Sequence, residues 1–396
     1  MLRLYPTKAK NLSARTLHPF PARMAPDLAV QAIRDLAPSS GALVLDPMCG
    51  SGTVLKMAAE RGIQSVGADL DPLAVMMSRA ATCPVEPTTF QAAAAEVGAG
   101  RPTDQSPPWH DEATRAFVEY WFDTPQIRQL NSLSMAIAAV EDPEVRNALS
   151  IALSRTIITK TPSASRAADT SHSRPHRVIM ENPYDVMLGF ARAAASLAKY
   201  SMARREMGKS QVYLADSRQL PIEEASIDLT VTSPPYLNAI DYMRGHRLSL
   251  IWLGYTVERL REIRANSIGA ERGNKGEVTS IVKHLYDSVL DAVVAPEALP
   301  HGTLLRYCND LNLFASEMMR VSRSGARIVT VMGNSTIRGN YIQNDRVLRD
   351  ALLHHGFSAE SRSEREIPQH LRYLPTREGT LSRRMRVEVV QVFRKI

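Results

Sequence analysis

Gly41-Ala42-Leu43-Val44-Leu45-Asp46-Pro47-Met48-Cys49-Gly50-Ser51-Gly52-Thr53 is the stretch on which the fold is read. An apolar run, ALVLD (42–46), stops at a turn holding two glycines, and TVLKMAAERG (53–62) then takes up helical spacing. QSVGAD (64–69) and PLAVMMSRAA (72–81) repeat the pair, which is the alternation of parallel β-α-β units. A Rossmann-like half is therefore expected over 41–82. Outward from it the alternation stops at Cys83-Pro84, and strands of the same character return only at VYLA (212–215), IDLTVT (227–232) and ARIVTVM (326–332). The roughly 125 residues between are too many for a plain connection. Apolar residues recur at helical spacing over 111–159 and 183–206, so the insertion reads as mainly helical, while TPSASRAADTSHSRPHR (161–177) has the composition of a mobile surface loop. Its His172 and His176 read as solvated rather than as metal ligands. RVEVVQVFR (386–394) has the β-branched alternation of a late edge strand.

A chain of 396 residues, 44% hydrophobic and 22% charged, has enough apolar surface for a large core, which excludes disorder, collagen and coiled coil. No apolar run reaches the roughly 18 residues of a membrane span, and MLRLYPTKAK lacks the apolar stretch of a signal peptide, so a soluble, cytoplasmic protein is expected. Cys49, Cys83 and Cys308 form no C-x-x-C pair, so neither a disulfide framework nor a cysteine zinc site is offered, and no metal constellation is seen. The net charge of +7 is unevenly spread: residues 1–26 hold five basic residues and no acid, and residues 361–396 hold nine basic residues against four acids. Basic ends on a near-neutral body suit a polyanionic partner, and equally suit plain solubility.

The turn after Asp46 is not built for a dinucleotide or a triphosphate, because it lacks both G-x-G-x-x-G and a Gly-Lys-Ser/Thr. Gly50 and Gly52 allow close backbone approach, yet Asp46 would repel a pyrophosphate and attract the amino group of an amino-acid-like ligand. Asp69 closes the second strand, where a carboxylate can accept both ribose hydroxyls, with Asp71 as the alternative. Asp216, in LADSRQL after the third strand, can meet an adenine amino group. Each acid alone would read as a helix cap. Three acids at successive strand ends beside a glycine turn point to S-adenosylmethionine.

The fourth strand runs into Thr232-Ser233-Pro234-Pro235-Tyr236. Two prolines lock φ and remove two amide donors, so the turn presents carbonyls beside a hydroxyl and an aromatic face. Ser233 and the Pro234 carbonyl can accept from an exocyclic amino group while Tyr236 stacks on its ring, and a base held so must first leave the duplex. The plain alternative is a Pro-Pro turn capped by a core tyrosine. No Pro-Cys follows the strand, which disfavours carbon-5 methylation.

D-P-M-C-G-S-G-T (46–53) resembles the cofactor motif, and T-S-P-P-Y (232–236) the catalytic motif, of the amino-group DNA methyltransferases that make N4-methylcytosine or N6-methyladenine. His18-Pro19-Phe20-Pro21-Ala22-Arg23-Met24-Ala25-Pro26 is similar to the short element that precedes the cofactor strand in that family. The resemblance implies an α/β fold of the class I Rossmann-like methyltransferase kind, a mostly parallel seven-stranded sheet with a helical insertion. It implies S-adenosylmethionine held by Phe20, Asp46, Met48, Gly50, Gly52, Thr53, Asp69 and Asp216, and a target amine held by Ser233, Pro234, Pro235 and Tyr236. It also implies double-stranded DNA as a partner, leaves room for a cognate restriction or defence component, and with Ser before P-P-Y favours cytosine N4 over adenine N6. The departure from the family is the place of the long insertion, between the second and third strands.

The chain thus divides into an N-terminal arm and cofactor half (1–82), a helical insertion suited to target recognition (83–206), and a catalytic half (207–396) with an Arg-rich insertion near 237–305. From 244 to 275 there are seven basic residues against three acids, and Arg244, His246 and Arg247 follow the catalytic turn most closely. They suit phosphates flanking an extruded base, contacts that position rather than specify. The competing reading of that segment is a solvated helix face. An RNA amino-group methyltransferase and an inactive cofactor- or DNA-binding module remain the alternative functions.

Overall fold

The apolar runs of the sequence pair into one seven-stranded sheet in a computed structural model, which describes residues 17–19, 24–37, 41–159, 162–168, 170, 175–201, 208–237, 241–270, 277–367 and 387–396. The strands are β1 (Leu43–Asp46), β2 (Gln64–Asp69), β3 (Ser210–Leu214), β4 (Ile227–Thr232), β5 (Ser322–Gly333), β6 (Phe357–Glu366) and β7 (Val387–Lys395). Their order is β3-β2-β1-β4-β5-β7-β6. β1 to β5 pair parallel, and β7 runs antiparallel between β5 and β6. This is the strand order of the class I methyltransferase fold.

β7 is not the edge strand that its alternation suggests. Val389, Val390, Val392 and Phe393 are all buried, and the strand pairs with a neighbour on each side. The outer place falls to β6, FSAESRSERE, whose row of polar residues hides it from a search for apolar runs and suits an edge facing water.

Both faces of the sheet are covered, as parallel sheets require. Val44, Leu229, Val231, Val329, Val331, Val390 and Val392 meet α1 (Pro26–Leu36) and α2 (Thr53–Ala59). Leu45, Ile328, Met332 and Phe393 point the other way, against helices whose apolar faces include Leu285, Phe314, Met318 and Leu348. α3 (Pro72–Thr82) returns the chain from β2, capped by Asp71, whose Oδ1 accepts from the Leu73 amide at 2.9 Å.

Between α3 and β3 lie α4 (Pro87–Gly98), α5 (Glu112–Trp121), α6 (Thr124–Ala138), α7 (Pro143–Ile157) and α8 (Val186–Ser201). α4 follows the point where the alternation lapses, opened by Pro87 and capped by Glu86, which accepts from the Thr89 amide at 2.9 Å. Part of the stretch read as a surface loop is core. Ser163, Ala164 and Ser165 are buried, and the Asn182 side chain donates to the carbonyls of Ser163 at 2.9 Å and Ser165 at 3.2 Å. His176 is exposed, and His172 lies outside the described residues.

After β4 come α9 (Met243–Leu250), α10 (Val257–Asn266), α11 (Ser280–Leu290), α12 (His301–Val321) and, before β6, α13 (Asn344–His354). α9 and α10 share one apolar cluster with α3 and with the helices of the insertion, centred on Trp252, Phe122, Phe190 and Leu133. Among the described residues no helix is long and apolar enough to cross a membrane, and no group of three metal-ligating side chains occurs.

Candidate active site

The parallel pairing sets the ends of β1, β2, β3 and β4 at one edge of the sheet, with Asp46 beside Gly67 and Asp69 beside Leu214. After Asp46 the turn folds over the end of β2, its Cys49 amide donating to the Ala68 carbonyl at 2.9 Å. Asp69 is pinned by two amides, Gly50 onto Oδ2 at 2.8 Å and Asp71 onto Oδ1 at 2.9 Å. Gly50 and Gly52 take φ of 50° and 75°, the left-handed region. At Gly52 a Cβ would also stand 2.9 Å from the Ser78 Cα of α3, so glycine is required twice over. Ser78 steadies the turn from behind, its hydroxyl donating to the Gly50 carbonyl at 3.1 Å with Cys49 Sγ 3.2 Å away. Nothing in the sequence singles Ser78 out, since it sits on a helix face that reads as packing.

Asp46 is only 3% exposed, with the Met48 amide on Oδ1 at 3.3 Å, and burial pushes its carboxyl up to about 7. Asp69 is pushed up to about 6 by burial and by the neighbouring Asp71 charge, against the pull of its two amides. Two carboxyls this reluctant to ionise fit a ligand that brings positive charge, as the amino group and sulfonium of S-adenosylmethionine do. Met48 is half-buried against the α12 side of the core, and Thr53 opens α2 behind Gly52.

On the next strand, Thr232 closes β4 opposite Thr330 of β5. Ser233 Oγ donates to the Val331 carbonyl at 2.8 Å. Its one proton is thereby directed inward, and its lone pairs are left on an exposed residue to accept. Pro234 is buried and Tyr236 half-buried. Two helices hold the turn, Tyr307 of α12 donating to the Pro235 carbonyl and Asn344 of α13 accepting from the Leu237 amide, both at 3.3 Å.

β1 and β4 are neighbours, and the strand order departs from them in opposite directions. That is the topological switch point, where open α/β sheets hold ligands beyond the strand carboxyl ends. The glycine turn and the Ser-Pro-Pro-Tyr turn flank that crevice.

Three expectations need correction. Asp216 is not an open acceptor, because Arg218 wraps it: Nε lies 2.9 Å from Oδ1, Nη2 lies 2.6 Å from Oδ2, and the Arg218 amide adds 2.9 Å to Oδ1. Arg218 also pairs with Asp310, a partner no local sequence pattern announces. His246 is buried and bonded to Asp71, so it offers phosphate nothing. Arg247 is half-buried with its guanidinium 5.1 Å from the centre of the Phe117 ring, packing on the helical insertion instead of facing outward. Arg244 is partly exposed beside Asp241 at 3.0 Å, and Arg264 reaches the same carboxylate at 2.5 Å. On the outer face of α10, Arg259 pairs with Glu262 at 2.8 Å, which is the solvated helix face of the competing reading. Phe20, Arg272, Lys275 and most of the basic ends lie outside the described residues.

The chain is 23% identical over 389 residues to the Type II methyltransferase M.MvaI of Kocuria varians, covering 89% of this chain and 84% of that one. It is related to the Type II methyltransferases. A second relative, M.BsoBI of Geobacillus stearothermophilus, is 25% identical over 152 residues, 31% of this chain and 30% of that one. This similarity bears out the resemblance carried by D-P-M-C-G-S-G-T and T-S-P-P-Y, and supports S-adenosylmethionine as the methyl donor. No protein-family model matches the chain. A solved methyltransferase from Methanosarcina mazei aligns over 92% of this chain and 97% of its own at 11% identity and a TM-score of 0.33, which adds nothing to the strand order itself.

Proposed function

We propose that the chain methylates an exocyclic amino group of a base flipped out of double-stranded DNA, at cytosine N4 in preference to adenine N6. The observation that carries this is the placing of the two turns on adjacent strands at the switch point, with the Ser233 hydroxyl proton turned away from the crevice. A site that offers only acceptors there, the Ser233 lone pairs and the Pro234 carbonyl, selects a donor, and an amino group is the donor cytosine or adenine presents.

When bound, S-adenosylmethionine supplies an electrophilic methyl on a sulfonium. Asp46 faces its amino group, Asp69 takes the ribose hydroxyls, and Gly50 and Gly52 keep the turn close enough for both. Ser233 and Pro234 accept the two amine protons, which aims the nitrogen lone pair along the line of transfer, and Tyr236 stacks on the ring. The proton is lost to water afterwards, so no side chain has to act as a general base. Asp216 serves by fixing Arg218 at the rim. Arg244 meets a flanking phosphate. The preference for cytosine rests on the resemblance, through Ser233 before P-P-Y.

Modification-sensitive sequencing of DNA from a methylation-free host expressing the chain tests this, beside a Pro234→Ala, Tyr236→Ala control. N4-methylcytosine in a single sequence context, absent from the control, is the expected result. N6-methyladenine in its place overturns the base preference, label from S-adenosylmethionine found only in RNA overturns the DNA reading, and no modification in either strain favours an inactive module.

A further inference from the structure

A buried line of hydrogen bonds joins parts of the molecule that the sequence keeps far apart. His18 Nε2 lies 2.9 Å from Ser154 Oγ on α7. Ser154 Oγ donates to Ser249 Oγ on α9 at 3.0 Å, and Ser249 Oγ lies 3.1 Å from the His246 carbonyl. One turn earlier on the same helix, His246 Nδ1 bonds Asp71 Oδ2. Because that carboxylate accepts only, Nδ1 carries the proton, a tautomer assigned from the bonding. The Asp71 amide then donates to Asp69, whose other oxygen holds the Gly50 amide. His246 is 2% exposed and Asp71 15%, so water competes little for their bond. Tyr242 stacks at 21° on the outer side of the imidazole, centroids 6.2 Å apart.

The line therefore runs from the segment before α1, through the helical insertion, to the helix that follows the catalytic turn, and ends in the glycine turn. His246 thus gives α9 a direct side-chain bond to the loop that follows β2. A shift of α9 pulls on Asp71 through His246, and Asp71 supplies the amide that holds Asp69 Oδ1.

We infer that His246 is a positioning residue that couples the two halves of the site, so that binding at the glycine turn and docking of α9 against the target strengthen one another. This rests on the function proposed above, but touches neither methyl donor nor base. By linkage the coupling is reciprocal: whatever factor the cofactor side adds to duplex affinity, duplex must add to cofactor affinity.

The test uses the full chain and S-adenosylhomocysteine as the cofactor-side probe. Duplex Kd is measured with and without it, alongside KM for S-adenosylmethionine, in the wild type, His246→Leu, His246→Asn and Ser249→Ala. Wild type should bind duplex more tightly with the probe present. His246→Leu should bring that factor to about one and raise KM roughly tenfold, the loss of a hydrogen bond to a charged group. His246→Asn carries an amide donor where Nδ1 stood and should recover most of both, a rescue that a purely packing role does not predict. Ser249→Ala, which leaves the Asp71 bond intact, should reduce the coupling factor with KM little changed. If His246→Leu is active with coupling and KM unaltered, or if His246→Asn is as impaired as His246→Leu although both melt like the wild type, the inference is overturned. A wild type that neither binds the probe nor methylates overturns instead the function on which it rests.

Discussion

At the scale of single residues, the site works by restricting what each group can do. Ser233 is an acceptor because Val331 takes its proton, so Ser233→Ala removes one hydrogen bond to the amine, about 1 kcal/mol, or several-fold in kcat/KM. Tyr236→Ala removes a stacking face as well, about 1–3 kcal/mol, and should lower kcat/KM some ten- to hundredfold in steady-state assays on a short duplex. Asp46 has a pH signature. Its folded pKa of about 7 lies above the ordinary 3.8, so the folded apo-protein holds a proton that the unfolded chain releases between those values. Stability contributed by this group therefore falls as pH rises through that window. A cationic ligand needs the ionised form, so S-adenosylmethionine affinity should rise from about pH 5 to 8, and Asp46→Asn should weaken it and flatten the dependence; calorimetric titration across that range reads both. Asp46, Gly50, Asp69 and Ser233 were legible in the sequence because strand ends and glycine turns are local patterns. Arg218 on Asp310, or Ser78 behind the turn, were not, because their partners are distant in the chain.

At the scale of elements, the cofactor turn depends on how tightly α3 packs behind it. Gly52→Ala forces a methyl into a left-handed residue 2.9 Å from Ser78, and should cost about 1–3 kcal/mol, seen as a lower midpoint in denaturant, with cofactor affinity falling in parallel. Strands β1, β2 and β4 announce themselves by apolar runs, since both of their faces are covered. β7, read as an edge strand, lies inside the sheet, and the polar β6 takes the edge. An apolar strand needs cover on both sides, and only the position between β5 and the polar β6 gives β7 that cover. α4 escapes notice because Pro84 reads as a stop, when Pro87 in fact opens the next helix.

At the scale of the whole molecule, the insertion between α3 and β3 is built into the catalytic body. Trp109 Nε1 donates to the Ile251 carbonyl at 2.8 Å, the Val257 amide donates to Thr114 Oγ1 at 3.0 Å, and Trp252 is buried among residues of α5, α6 and α9. Trp252→Ala should cost about 3–5 kcal/mol and lower a single thermal transition seen alike by ellipticity and by methyl-transfer activity. Two separate transitions would show instead that the insertion folds by itself. The amino-acid sequence alone determined the α/β class, the glycine turn, the acids at the ends of β1 and β2 and the Ser-Pro-Pro-Tyr turn, because each is set by periodicity or by residues adjacent in the chain. Only the tertiary structure decided that the two turns share the β1/β4 crevice, that Arg218 closes Asp216, and that His246 faces Asp71 rather than phosphate. Those depend on strand order and on helices packed across long stretches of chain, where burial, not local pattern, selects the partner.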